Sequence, residues 1–142
     1  MNFYQLEPEV AGGWGQDTVV DTTVHPPVVS FLHYEFAGWL GDHLLESFPC
    51  FVVSDVLGAR LVAEGVSGFH VEPAKITTGE DFYRLSSGAN LPKFDRLVVT
   101  GASGVDDLGL LADASLVVSE SCLQILKKWG LTHCEIRSFV GE

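Results

Sequence analysis

The sequence predicts an α+β fold: a mixed or antiparallel sheet carrying two echoing strand–helix–strand units, at residues 51–72 and 116–137. Three observations lead there. Phe51-Val52-Val53-Ser54-Asp55 recurs as Leu116-Val117-Val118-Ser119-Glu120, and the match continues at one constant offset. Leu61 pairs with Leu126, Gly65 with Gly130, Val66 with Leu131, Ser67 with Thr132 and Val71 with Ile136. Within each copy the apolar pattern changes from a continuous run, as in a buried strand, to helical spacing. Finally, 142 residues that are 46% hydrophobic and 19% charged suffice for one core and fall short of two, so residues 1–142 are read as a single domain.

The elements follow in chain order. Phe3, Tyr4 and Leu6 suggest a first strand over residues 2–7. Residues 8–30 hold Gly12, Gly13, Gly15, Pro26 and Pro27, which predicts a long ordered loop and makes residues 1–40 the irregular part of the chain. Leu32 to Phe36 alternates as a strand does. Asp42 is placed to cap a short helix through Leu44, Leu45 and Phe48 that Pro49 stops. Cys50 starts the first apolar strand. Ser54 and Ser119 are good N-caps, because a serine hydroxyl accepts a bond from an orphan helix N–H. Asp55 and Glu120 then put negative charge at the positive end of each helix dipole. Leu57 and Leu61 line one helix, and Cys122, Leu126 and Trp129 the other. Gly65 and Gly130 stand where a left-handed residue ends a helix. Thr77-Thr78-Gly79-Glu80 resembles a capping box that opens a short helix through Phe82, Tyr83 and Leu85. Phe94 to Thr100 reads as a strand, and Gly101 to Ala114 as a loop carrying Asp106, Asp107 and Asp113.

Charge narrows the function classes. With 19 acidic and 8 basic residues the net charge is −11, which disfavours nucleic acid and anionic membrane, since phosphate binding relies on Lys and Arg. The same charge suits a basic protein partner. The start of the chain has no basic region followed by an apolar run, and no stretch reaches the roughly 18 apolar residues of a membrane span. The expected location is the cytoplasm, with Cys50, Cys122 and Cys134 reduced.

No reactive constellation emerges. Val99-Thr100-Gly101-Ala102-Ser103-Gly104 resembles the start of a dinucleotide-binding turn, but Val105, Asp106 and Asp107 follow where phosphate would sit, so it reads as a plain turn without cofactor. His25, His33, His43, His70 and His133 form no close metal-ligand pairs with one another or with the cysteines; the adjacent His133 and Cys134 would face opposite sides of a strand. No metal and no enzymatic nucleophile are expected.

The motif apolar-Val-Val-Ser-(Asp/Glu), a Leu-bearing helix, then Gly65-Val66-Ser67 or Gly130-Leu131-Thr132 before an apolar strand resembles the immunity proteins of bacterial polymorphic toxin systems, in particular immunity family eleven. Asp106-Asp107-Leu108-Gly109 in the intervening loop fits the same resemblance. It covers the last two-thirds of the chain and implies an α+β fold, no catalytic residues, and neutralisation of a cognate toxin by binding. The expected partner is a toxin with a basic face, and the expected contacts are Asp106, Asp107, Trp14, Glu35 and Asp42. Rival readings are an enzyme or small-molecule sensor with a pocket formed by Trp14, His25, Tyr34 and Trp39, or an oligomeric scaffold, for example a homodimer.

Overall fold

A computed structural model describes residues 2–85 and 90–140. In chain order the chain forms β1 (Phe3–Glu7), β2 (Gly12–Trp14), β3 (Val19–Asp21), β4 (Val28–Phe31), β5 (His33–Phe36), β6 (Leu44–Ser47) and β7 (Cys50–Ser54). These are followed by α1 (Asp55–Ala63), β8 (Phe69–Glu72), β9 (Lys75–Thr78), α2 (Phe82–Leu85) and β10 (Phe94–Val99). The chain ends with β11 (Leu108–Leu110), β12 (Leu116–Ser119), α3 (Glu120–Lys128) and β13 (Glu135–Phe139). The fold is α+β.

The two echoing units are structural equivalents. One four-stranded antiparallel sheet runs β6-β7-β10-β8 and the other β11-β12-β1-β13. In each, a hairpin leads into a strand, a helix follows, and the returning strand is separated from the first by one inserted strand. The registers agree residue by residue. Leu97 of β10 faces Phe51 and Val71, and Leu6 of β1 faces Leu116 and Ile136. The strand that completes the second unit therefore comes from the N-terminus, whereas β10 completes the first.

Both helices start as their sequences predict. The Leu57 N–H donates to Ser54 Oγ at 3.2 Å, and the Cys122 N–H to Ser119 Oγ at the same distance. Gly65 (φ 72°) and Gly130 (φ 87°) take the left-handed conformation just beyond the helices.

Strand alternation divides the core. Phe51, Val53, Leu57, Leu61 and Leu97 of the first unit meet Leu116, Val118, Cys122, Leu126 and Leu6 of the second in one shared cluster. Phe51 and Leu116, Val53 and Val118, Leu57 and Cys122, and Leu61 and Leu126 are related by the sequence offset. The core is thus built from matched pairs. The other face of β7 puts Cys50 and Val52 into a second cluster with Tyr34, Phe36, Phe82 and Phe94, covered by the sheet β2-β5-β9. Within that sheet β5 and β9 are parallel. Phe36 is its hub, with ring centroids 4.8 Å from Tyr34 and 5.2 Å from Phe94.

Five expectations fail. The helix over 42–48 is strand β6, which turns at Phe48-Pro49 so that Ser47 faces Cys50. Leu44 points into the shared core and Leu45 into the second, the two-sided burial of an inner strand. Residues 1–40 are not irregular: they hold β1 to β5, including the β3–β4 hairpin inside the segment read as a loop. The loop over 101–114 contains β11, and Thr77 and Thr78 belong to β9, leaving α2 to begin at Phe82. His133 and Cys134 precede β13 instead of lying within it.

Candidate functional site, a groove beside the edge strand β2

The strand β2 is the edge of its sheet and pairs with β5. It exists because Gly12 lies flat on its neighbour: a Cβ there would stand 2.0 Å from the Glu35 carbonyl oxygen. At Gly13 a Cβ would meet nothing within 4 Å. Gly12→Ala is therefore expected to cost about 1–3 kcal/mol of stability as β2 is pushed off β5. Gly13→Ala should change it by less than about 0.5 kcal/mol. Urea melts of the two variants check this, and equal losses would contradict it.

The segment before β2 is tied down on both sides. The Ala11 N–H donates to the Tyr34 hydroxyl at 3.1 Å, and the Ala37 N–H to the Ala11 carbonyl at 2.8 Å. Tyr34 lies wholly buried, and burial pushes its phenol far up, so it stays a neutral post under the segment. The Glu46 N–H donates to the Glu9 carbonyl at 2.9 Å. The Glu9 carboxylate turns inward and accepts from the Leu40 N–H at 2.7 Å and the Asp42 N–H at 3.3 Å.

These ties leave an open groove of about 690 Å³ between 9–14 and 35–40. Trp14, Trp39, Val10 and Leu40 give it apolar walls, and the exposed Glu35 gives it negative charge, the Glu9 carboxylate being turned inward beneath it. Val10 is 68% exposed, Leu40 67% and Trp14 38%. An apolar cluster left in water beside a carboxylate is the pattern of a docking surface rather than of a core. The indole N–H of Trp39 donates to the Asp42 carbonyl at 2.7 Å, which fixes that ring.

Of the five residues expected to contact a partner, the fold brings Trp14 and Glu35 together here. Asp42 sits behind the groove and is fully buried. Its carboxylate accepts from the Thr132 N–H and hydroxyl at 3.0 and 2.9 Å and from the His133 N–H at 2.8 Å. Asp107 does the same in the opposite direction: it accepts from the Ser67 N–H at 2.9 Å and hydroxyl at 3.2 Å, and from the Ser119 hydroxyl at 2.7 Å. Asp42 and Asp107 stand at the same sequence offset as the repeats, as do Ser67 and Thr132. Each unit therefore lends one aspartate to the turn beyond the other unit's helix. Asp106 is also engaged, capping the Ala102 N–H at 2.8 Å. Asp106 and Asp107 line no part of the groove. Sequence reading missed Glu9, Val10 and Leu40; Trp39 lines the groove while also packing partly against the second core cluster.

Burial alone would raise the Asp107 carboxyl, yet the bonds from Ser119, Ser67 and Ser121 hold it below its ordinary value of 3.8. A carboxylate depressed in the folded state stabilises fully above that ordinary value and loses its contribution as pH falls through the folded one. Wild type is therefore expected to lose stability below about pH 4 more steeply than Asp107→Asn, as read by urea melts across pH 2–6. Parallel acid limbs for the two proteins would contradict it.

Glu9, Asp42 and His133 offer ligand atoms within 4.8 Å of one another, the geometry of a possible metal site. Their carboxylate oxygens already accept main-chain N–H bonds, so the group behaves as a structural knot. The thiols are poor nucleophiles: burial pushes Cys122 and Cys134 up to about 12 and raises Cys50. The pocket expected from Trp14, His25, Tyr34 and Trp39 does not assemble, since Tyr34 lies beneath the groove and His25 stacks near Phe48. Among the described residues no helix is long and apolar enough to cross a membrane. No protein-family model matches the chain, and no curated protein sequence matches it.

Proposed function

We propose that this chain is an immunity protein that binds a cognate bacterial toxin and neutralises it by occlusion, with the groove beside β2 as the docking surface. The observation that carries the reading is the pairing of two tryptophans and exposed Val10 and Leu40 with the outward acid Glu35. Tryptophan is a frequent interface anchor, and an indole beside a carboxylate receives an Arg or Lys side chain by cation–π and ionic attraction. A net charge of −11 adds a long-range field toward a basic toxin, such as one that acts on nucleic acid or nucleotides. The engaged aspartates and the high thiol values support binding over catalysis. The resemblance of the Val-Val-Ser-acid units to immunity family eleven points the same way.

The test is co-purification of the chain with the product of the adjacent gene, which the proposal expects to carry a toxin domain. Capture of the complex is the expected result, with an association rate that falls about tenfold or more between low and physiological salt. A toxin that never co-purifies sinks the proposal, and a salt-independent rate removes its electrostatic component.

A further inference from the structure

We propose a second, separate binding site, for a carboxylate carried on an apolar body, in the cavity over Arg96. It does not depend on the toxin-binding reading. The cavity holds about 340 Å³ and is walled by Pro26, Pro27, Val29, Pro49, Leu110 and Leu111 among others. Arg96 is the charged residue in an otherwise apolar lining. It projects from β10 on the same face as Phe94, opposite Val52 and Glu72.

The guanidinium is only partly satisfied. Its Nη1 donates to the Val29 carbonyl at 2.8 Å, and the Cys50 thiol lies beside it. Its Nε is buried without a hydrogen-bond partner. Among the described residues, no carboxylate lies within ion-pairing distance of it. That is unexpected in a chain with 19 acids and 8 bases. Even Glu72, directly across the strand pair, turns its carboxylate to His70 Nε2 at 2.8 Å. A part-buried guanidinium whose Nε is cut off from water and unpartnered, with no counter-charge beside it, is unfavourable, and its planar fork of donors matches a carboxylate. The chain supplies hydrophobic walls and one cation and leaves the anion to come from outside. A cavity of this size accepts an aromatic or branched aliphatic group beside the carboxylate.

Two sources offer this chemistry: a free carboxylic acid, and the C-terminus of a peptide ending in an apolar residue. NMR titration of the full chain distinguishes them, using benzoate, the peptide acetyl-Gly-Ala-Phe with a free carboxylate, and the same peptide as its amide. The expected result is shifts confined to Val29, Arg96, Leu111 and Ala112, with the amide at least about tenfold weaker than the acid. The tighter of benzoate and the acid peptide identifies the source. Ala112→Trp, placed at the exposed rim of the cavity, should fill it while leaving the Arg96 residue itself unaltered, and should abolish the shifts. Glu72→Gln should leave them unchanged. No shift with either acid, equal binding of acid and amide, or full binding to Ala112→Trp would each overturn the proposal.

Discussion

Asp42→Ala is expected to be the most damaging single substitution outside the apolar core, costing about 3–5 kcal/mol. Asp42 is wholly buried and receives the Thr132 and His133 main-chain N–H groups together with the Thr132 hydroxyl. Its own N–H is held by Glu9. Truncation leaves those donors without an acceptor and opens space between the two units. A domain of this size has roughly 5–15 kcal/mol in total, so the variant should sit near the edge of folding. Asp107→Ala removes the equivalent knot from a more solvated position, where water can replace the carboxylate. It should cost about 1–2 kcal/mol. Denaturant melts of both variants give the comparison. A loss at Asp42 no larger than at Asp107 would show that the buried knot does not hold the units together.

If the groove docks a toxin as proposed, Trp14→Ala is expected to weaken that binding by about 2–4 kcal/mol, roughly 30- to 700-fold in Kd, as for a central anchor. Trp14 lines the groove from an edge strand, and its removal takes apolar surface and the indole face from the partner. Folding should suffer little, because the ring packs in neither core cluster. Tyr83→Ala is the control: Tyr83 is more exposed than Trp14 but lies outside the groove, so binding should be unchanged. Calorimetry with the purified toxin domain separates the two. Equal effects at the two positions would mean that the groove is not the contact surface.

What the sequence revealed was local chemistry. The Ser54 and Ser119 caps, the terminal glycines and the helical faces each depend on residues within one turn, and all were readable. The offset between the copies carried the matched core pairs as well. What escaped depends on distant partners. Asp42 looked like a cap for the residues after it, but its donors are at 132–133, supplied by the other unit. Leu44, Leu45 and Phe48 fit a helical stripe, but a sheet with both faces covered makes Leu44 and Leu45 part of β6 and leaves Phe48 exposed in the turn after it. The strands β2, β3 and β4 are three or four residues long, too short for alternation to stand out against glycine and proline. In the candidate site, Glu35 was legible as the outward residue of an alternating strand. Asp106 and Asp107 were read as free acids because nothing in the sequence signals that Ala102, Ser67 and Ser119 occupy them.

The most direct test is survival of cells producing the neighbouring toxin domain together with this chain. Wild type should protect. The folded double variant Trp14→Ala with Glu35→Lys, which strips the groove of its exposed indole and reverses its outward charge, should not. Protection by that variant equal to wild type would show that neutralisation, if it occurs, runs through another surface, and survival that never requires the chain would remove the function altogether.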